Sequence, residues 1–61
     1  MATRLKALRE QRGLTQEQLS ERSDVGRSHL ARLETARQDP TLGTLEKLAK
    51  ALKVKVTELL E

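Results

Sequence analysis

The sequence has no cysteine and no phenylalanine, tyrosine or tryptophan, and it has only one proline and three glycines in 61 residues. The lack of cysteine excludes a disulfide framework and a thiolate metal site, and the single histidine, His29, does not form a metal site alone. No apolar run approaches the roughly 20 residues of a membrane-spanning helix. The N-terminal stretch MATRLKALRE also lacks the apolar core of a signal peptide. We therefore expect a soluble cytoplasmic protein without metal, cofactor or small-molecule ligand.

Because aromatic residues are absent, twelve leucines must supply nearly all of the hydrophobic core. A core of this size stabilises a domain only when its helices pack closely, and a partner subunit would add to it. No repeat, low-complexity tract or linker divides the chain. We therefore expect a single domain over residues 1–61, without tails.

The net charge of +3 is by itself a weak indication of nucleic-acid binding. The distribution of the charges is more informative, because all seven arginines lie in residues 1–37 and four of the five lysines lie in residues 47–55. Arginine suits bidentate contacts with bases and phosphates, whereas lysine suits solvated surfaces. For any one arginine the alternative is an ordinary solvated helix face. Lys47, Lys50 and Lys55 are expected to be solvated.

Helical periodicity, with breaks at glycine and proline, predicts an all-α fold. The expected helices cover residues 3–12, 16–22, 27–34 and about 42–53, with a last turn or two from Thr57. Thr3, Thr15 and Thr41 are the expected N-caps, and Gln18 can complete a capping box with Thr15. Gly13 is expected to end the first helix in a left-handed conformation.

The third predicted helix has two different faces. At about 100° per residue, Leu30 and Leu33 share one side. The opposite side carries small and polar residues, namely Arg27, Ser28, Ala31, Arg32 and Thr35. A tight turn at residues 23–26 separates this helix from the second one, and two short helices of this kind, with arginines on the outer side, are typical of a DNA-binding unit.

The fourth predicted helix is core scaffold. Its apolar residues recur at helical spacing, namely Leu42, Leu45, Leu48, Ala49 and Leu52. Further on, Leu59 and Leu60 are expected to point in different directions, so one of them has no obvious place in the core of a single chain. Val56, Leu59 and Leu60 are therefore candidate contacts with a second subunit, although they also suit a simple closure of the core.

Three stretches together resemble the lambda-repressor and Cro helix-turn-helix family. They are LRxxRGLTQEQLSE, VxRSHLxRLE, and PTLGTLEKLAKAL followed by V and ELL. The resemblance extends from Leu5 to Leu60, almost the whole chain. It implies an all-α fold of five helices, in which the second and third form the DNA-binding unit. It also implies a two-fold symmetric dimer on palindromic double-stranded DNA.

The resemblance further implies roles for single residues. The base-reading positions of the family fall on Arg27, Ser28 and Arg32. Its phosphate contacts fall on Gln16, Thr35 and Arg37. Arg9 and Glu34 fall on two positions that usually form an ion pair between the first and third helices. His29, at the margin of the apolar side, is expected to be partly buried, with contact to the DNA backbone as the alternative.

Four positions depart from the family pattern. Gly26 gives the third helix a weaker N-cap than the usual Ser or Thr, although Asp24 is near enough in sequence to help. Ala36 and Lys53 occupy positions where glycine is frequent, so each would be strained if its backbone needs a positive φ. Gly43, in the first turn of the fourth helix, costs about 1 kcal/mol relative to alanine.

The function that the sequence favours is a sequence-specific DNA-binding transcriptional regulator, a repressor or autoregulator acting as a homodimer. The alternative is a helical protein-interaction module whose basic surface is incidental. An enzyme is not expected, because no Ser, His and acid constellation and no carboxylate pair stands out.

Overall fold

The computed structural model describes residues 4–60. Within that range the chain forms five α-helices and no strand, so the predicted all-α fold is confirmed. The helices are α1 (Leu5–Gln11), α2 (Gln16–Ser23), α3 (Arg27–Glu34), α4 (Leu42–Leu52) and α5 (Val56–Leu60). None of these five helices is both long enough and apolar enough to cross a membrane.

The first helix is shorter than predicted. It begins at Leu5, and Arg4 occupies the N-cap position without a capping bond from its side chain. Thr3, the predicted cap, lies outside the described residues. The other two predicted caps are present: Thr15 and Gln18 form the complete capping box of α2, and the hydroxyl of Thr41 accepts a hydrogen bond from the amide of Thr44 at 3.2 Å.

The core is built from leucines on all five helices. Leu14 and Val25, from the two connections that flank α2, complete it. Helix α2 packs against both α3 and α4, while α1 packs on α3 and α5 packs on α4. The buried apolar residues are Leu5, Leu8, Leu14, Leu19, Val25, Leu30, Leu33, Leu45, Leu48, Ala49, Leu52 and Leu59. This arrangement holds α3 by its apolar side and leaves its other side outward.

Two predictions about apolar residues of the last two helices have different outcomes. Leu59 is fully buried and Leu60 is 43% exposed, so these neighbours do point in different directions. The assignment of Leu42 to the core is wrong, because its side chain is 66% exposed. Leu42 is the first residue of α4, and the first turn of this helix extends past the packed leucines, which begin one turn later at Leu45.

Three helices end with the same pair of backbone hydrogen bonds around a left-handed residue. At the end of α3, Ala36 has a φ of 59°, and the amide of Arg37 donates to the carbonyl of Arg32 at 2.9 Å. Equivalent bonds surround Gly13 after α1 and Lys53 after α4, where φ is 68° and 58°. These are Schellman ends, which favour glycine at the left-handed position. The positive φ on which the prediction of strain at Ala36 depended is therefore present, and Lys53 is left-handed as well.

Candidate nucleic-acid interface

The turn between α2 and α3 is held by two serines of α2. The hydroxyl of Ser20 donates to the carbonyl of Val25 at 2.7 Å, and that of Ser23 donates to the carbonyl of Leu19 at 2.7 Å and accepts from the amide of Val25 at 3.3 Å. Val25 is itself buried, so its side chain also holds the turn against the core. The two helices therefore keep a fixed relative orientation. Sequence reasoning missed the role of Ser23, because a buried serine leaves no periodic signal.

The left-handed residue of this turn is Asp24, with a φ of 60°, and not Gly26, whose φ of −57° is open to any residue. Aspartate tolerates this region better than most side chains. Gly26 is the N-cap of α3, and no side chain accepts a capping bond there. The predicted weak cap is thus present, and the expected help from Asp24 is not.

The predicted ion pair joins α1 to the end of α3. Nε of Arg9 donates to one carboxylate oxygen of Glu34 at 2.8 Å, and Nη2 donates to the other at 3.1 Å. The remaining Nη1 donates to the carbonyl of Leu14 at 2.7 Å. Both side chains are largely buried, with 12% exposure for Arg9 and 3% for Glu34. The hydrogen bond with Glu34 raises the pKa of Arg9, so the guanidinium stays charged at neutral pH.

Gln16, the first residue of α2, belongs to the same cluster. Its Nε2 donates to Oε1 of Glu34 at 3.2 Å, so one carboxylate connects α1, α2 and α3. This contact was missed from the sequence, which assigned Gln16 only a phosphate contact. Gln16 also lines an open groove together with Thr15, Glu17 and Arg27. Its amide is therefore oriented by Glu34 at the edge of the exposed face.

The outer side of α3 carries the residues predicted to read bases. Arg27, Ser28 and Arg32 are exposed, whereas His29 and Ala31 are partly buried at its margins. Arg27 makes one contact that the sequence reasoning missed: its Nη1 lies 3.5 Å from Oε2 of Glu17 on α2. Glu17 and Arg27 lie on different helices, so helical periodicity does not relate their positions. Their pairing is therefore seen only in the folded structure.

The predicted phosphate contacts after α3 lie together. Thr35 and Arg37 are exposed, and with Ala31 and Arg32 they line a shallow cleft beside the outer face of α3. The hydroxyl of Thr35 donates to the carbonyl of Ala31 at 3.0 Å. A phosphate oxygen accepts hydrogen bonds only, so Thr35 can donate to one only if its hydroxyl rotates away from that carbonyl. Arg37 is the better placed of the two.

A single surface thus combines an arginine-bearing helix, the start of α2 and the cleft after α3. The residues that the structure describes contain no group of His, Cys, Asp or Glu side chains able to hold a metal ion. Exposed positive side chains beside a helix N-terminus are suited to a polyanion. The two-helix unit, its orientation and this surface define the class of helix-turn-helix DNA-binding domains found in transcriptional regulators.

Comparison with known proteins agrees with this class. The helix-turn-helix family model HTH_3 matches residues 5–59, and the chain belongs to that family. Over 56 residues it is 46% identical to the immunity repressor protein of Bacillus phage phi105, an alignment covering 92% of this chain and 39% of the repressor. Over 52 residues it is 46% identical to the HTH-type transcriptional regulator y4dJ of Sinorhizobium fredii, covering 85% of this chain and 68% of that protein. The chain therefore spans about two fifths of one relative and two thirds of the other.

Two solved structures share the fold closely. The restriction-modification controller protein C.AhdI from Aeromonas hydrophila superposes with a TM-score of 0.87 and 36% identity, covering 90% of this chain and 83% of that one. The N-terminal DNA-binding domain of SinR from Bacillus subtilis superposes with a TM-score of 0.89 and 34% identity, covering 95% of this chain and 86% of that one.

Proposed function

We propose that this chain is a sequence-specific transcriptional regulator that binds double-stranded DNA by inserting α3 into the major groove. The observation that carries the proposal is the outer side of α3, where Arg27, Ser28 and Arg32 are exposed while Leu30 and Leu33 hold the opposite side in the core. The phage relative is an immunity repressor, which supports repression as the direction of regulation.

Base reading falls to the arginines of α3. An arginine that donates to both O6 and N7 of guanine discriminates against other bases by about 1–3 kcal/mol. Ser28, between Arg27 and Arg32, donates or accepts and so tolerates more than one base.

Phosphate contacts fix the orientation of α3 in the groove. Gln16 and the free amides at the start of α2 would lie on one phosphate, because a helix N-terminus attracts anions. Arg37 would lie on a second phosphate beyond the end of α3, with Thr35 and the partly buried His29 as weaker candidates. Gln16 donates a hydrogen bond to Glu34, which is the last residue of α3 and also pairs with Arg9. The proposed phosphate contact at Gln16 is therefore connected to α3 and moves with it.

A homodimer on a palindromic operator is the proposed working form. A single α3 of eight residues contacts few base pairs, and a second copy about 34 Å away on the same side of the duplex doubles the readout. Leu60, exposed at 43%, and the partly buried Val56 are the proposed subunit contacts. Leu59 is withdrawn from this set, because its side chain is fully buried within its own chain. We propose a cytoplasmic regulator with no catalytic step.

Two double variants with equal loss of charge test the proposal. Arg27→Ala with Arg32→Ala removes two cations from α3, and Lys47→Ala with Lys50→Ala removes two from α4. Fluorescence anisotropy with a labelled random-sequence duplex at low salt is expected to show tight binding by the parent chain and the lysine variant, and at least about ten-fold weaker binding by the arginine variant. Equal effects of the two double variants would contradict binding through α3.

A further inference from the structure

Glu17 is an acidic residue on a surface that is otherwise suited to DNA. It lies in the first turn of α2, next to Gln16, and its side chain is 69% exposed. An acid in this turn is favourable for the helix dipole. However, it places a negative charge beside the proposed phosphate anchor, where it opposes DNA. The start of α2 does not require an acid at that position, because the capping box already binds the amides of Thr15 and Gln18.

The partner of Glu17 explains why the charge is tolerated. Oε2 of Glu17 lies 3.5 Å from Nη1 of Arg27, the first residue of α3, and both side chains line the same open groove. The other arginine of this groove, Arg9, is already neutralised by Glu34. The charge of Glu17 therefore acts on one cation in particular, which is the proposed base reader nearest to α2.

On this basis, and resting on the proposed function, we infer that Glu17 is a specificity-determining residue that acts through Arg27. Guanidinium has donors on more than one edge. A guanine can take two of them while another edge continues to donate to Glu17, so the pair survives in the specific complex. A phosphate that attracts Arg27 away from the groove must break the pair with Glu17. Glu17 thus lowers binding to DNA without the site more than binding to the site.

The contact with Glu17 also orients Arg27, the proposed base-reading residue. Arg27 is 66% exposed and its long side chain samples many rotamers when free. The carboxylate of Glu17 restricts the guanidinium to the part of the groove between α2 and α3. An exposed pair of this kind contributes little to folding. Its effect is therefore expected in the ratio of site affinity to non-site affinity, and not in the melting temperature.

The test compares Glu17→Gln with Glu21→Gln, which makes the same charge change on an exposed position one turn later in α2. Affinities are measured for a duplex carrying the site enriched from a random pool and for a scrambled duplex of equal composition. Glu17→Gln is expected to lower the site-to-scrambled ratio by about five-fold. It should also steepen the salt dependence for the scrambled duplex by up to about one phosphate contact. Glu21→Gln should leave the ratio within about two-fold.

A background of Arg27→Ala completes the design. There, Glu17→Gln should no longer change the ratio, because the proposed effect requires Arg27. Equal ratios for Glu17→Gln and Glu21→Gln, or an undiminished effect in the Arg27→Ala background, would overturn the inference while leaving DNA binding by α3 intact. Failure of the parent chain to prefer any site would instead overturn the proposed function, and the inference with it.

Discussion

Arg9 and Glu34 form a two-point ion pair that connects the end of α3 to α1, with N–O distances of 2.8 and 3.1 Å. Because Gln16 donates to the same carboxylate, this pair also positions the start of α2. A carboxylate that is 3% exposed is costly to bury without partners, so each of the three helices depends on the contact. Glu34 therefore affects both the stability of the fold and the geometry of the proposed DNA-binding surface.

Arg9→Met is expected to destabilise the protein by about 3 kcal/mol, because it leaves the Glu34 carboxylate buried without its cation. Arg12→Met, an exposed position just after the same helix, should change stability by less than about 0.5 kcal/mol. Urea unfolding followed by circular dichroism at low temperature measures both. Combining Arg9→Met with Glu34→Leu should recover most of the loss, since no charge then remains buried. Similar values for Arg9→Met and Arg12→Met would refute this role of the pair.

Ala36→Gly and Lys53→Gly are each expected to stabilise the fold by about 0.5–1 kcal/mol, because glycine removes the strain of a left-handed backbone at two Schellman ends. Ala7→Gly is the matched control: Ala7 is exposed inside α1, and glycine should cost about 0.5–1 kcal/mol there. Thermal unfolding measures the change in stability of each of the three variants. A loss of stability in Ala36→Gly would show that the strain estimate is wrong.

Gly43→Ala should also stabilise the protein, by about 0.5–1 kcal/mol. Gly43 lies in the first turn of α4, and an added Cβ would come no closer than 4.0 Å to the hydroxyl of Thr41. Gly13→Ala should act in the opposite direction, since Gly13 has a φ of 68°. Opposite signs for the same substitution are the expected result. The same sign at both positions would contradict the backbone assignment.

Helical periodicity and capping residues were enough to predict most of this fold. Thr15 and Gln18 identified the start of α2, and the spacing of Leu30 and Leu33 identified which side of α3 is buried. Leu42 was misplaced because periodicity assigns a side of a helix but does not show where the neighbouring helices end. The pairing of Glu17 with Arg27 depends on the angle between two helices, and no short-range pattern encodes that angle.

The Arg9 and Glu34 pair, by contrast, came from the family resemblance and not from the local pattern. Its residues are 25 apart and neither lies in a periodic register with the other. Family likeness likewise supplied the base-reading and phosphate assignments, and these stay predictions. Ser23 was missed by both routes.

Arg32→Ala and Arg37→Ala are expected to weaken DNA binding in different ways. Loss of a base reader should relax the preference at one position per half-site by about 1–3 kcal/mol. Loss of a phosphate contact should weaken binding to all sequences evenly and lower the salt dependence by about one contact. A mutational scan of the operator with each variant distinguishes these patterns. If Arg32→Ala weakened binding to all sequences by the same factor, Arg32 would not be a base-reading residue.

Leu60→Ser should weaken dimerisation without unfolding the chain, because Leu60 is exposed at 43% and contributes little to the core. Leu42→Ser is the control, since Leu42 is an exposed leucine at the start of another helix. Sedimentation velocity over a concentration series should show a larger monomer fraction for Leu60→Ser only. A larger monomer fraction for Leu42→Ser only would instead indicate that the subunit contact lies at the start of α4.

Selection of bound duplexes from a random pool tests the central claim most directly. The protein is incubated with the pool at low salt, and bound duplexes are amplified and sequenced through several rounds. The account predicts an enriched site with two-fold symmetry, whose half-sites are about 10 base pairs apart from centre to centre. Recovery of no enriched sequence under these conditions would contradict the account.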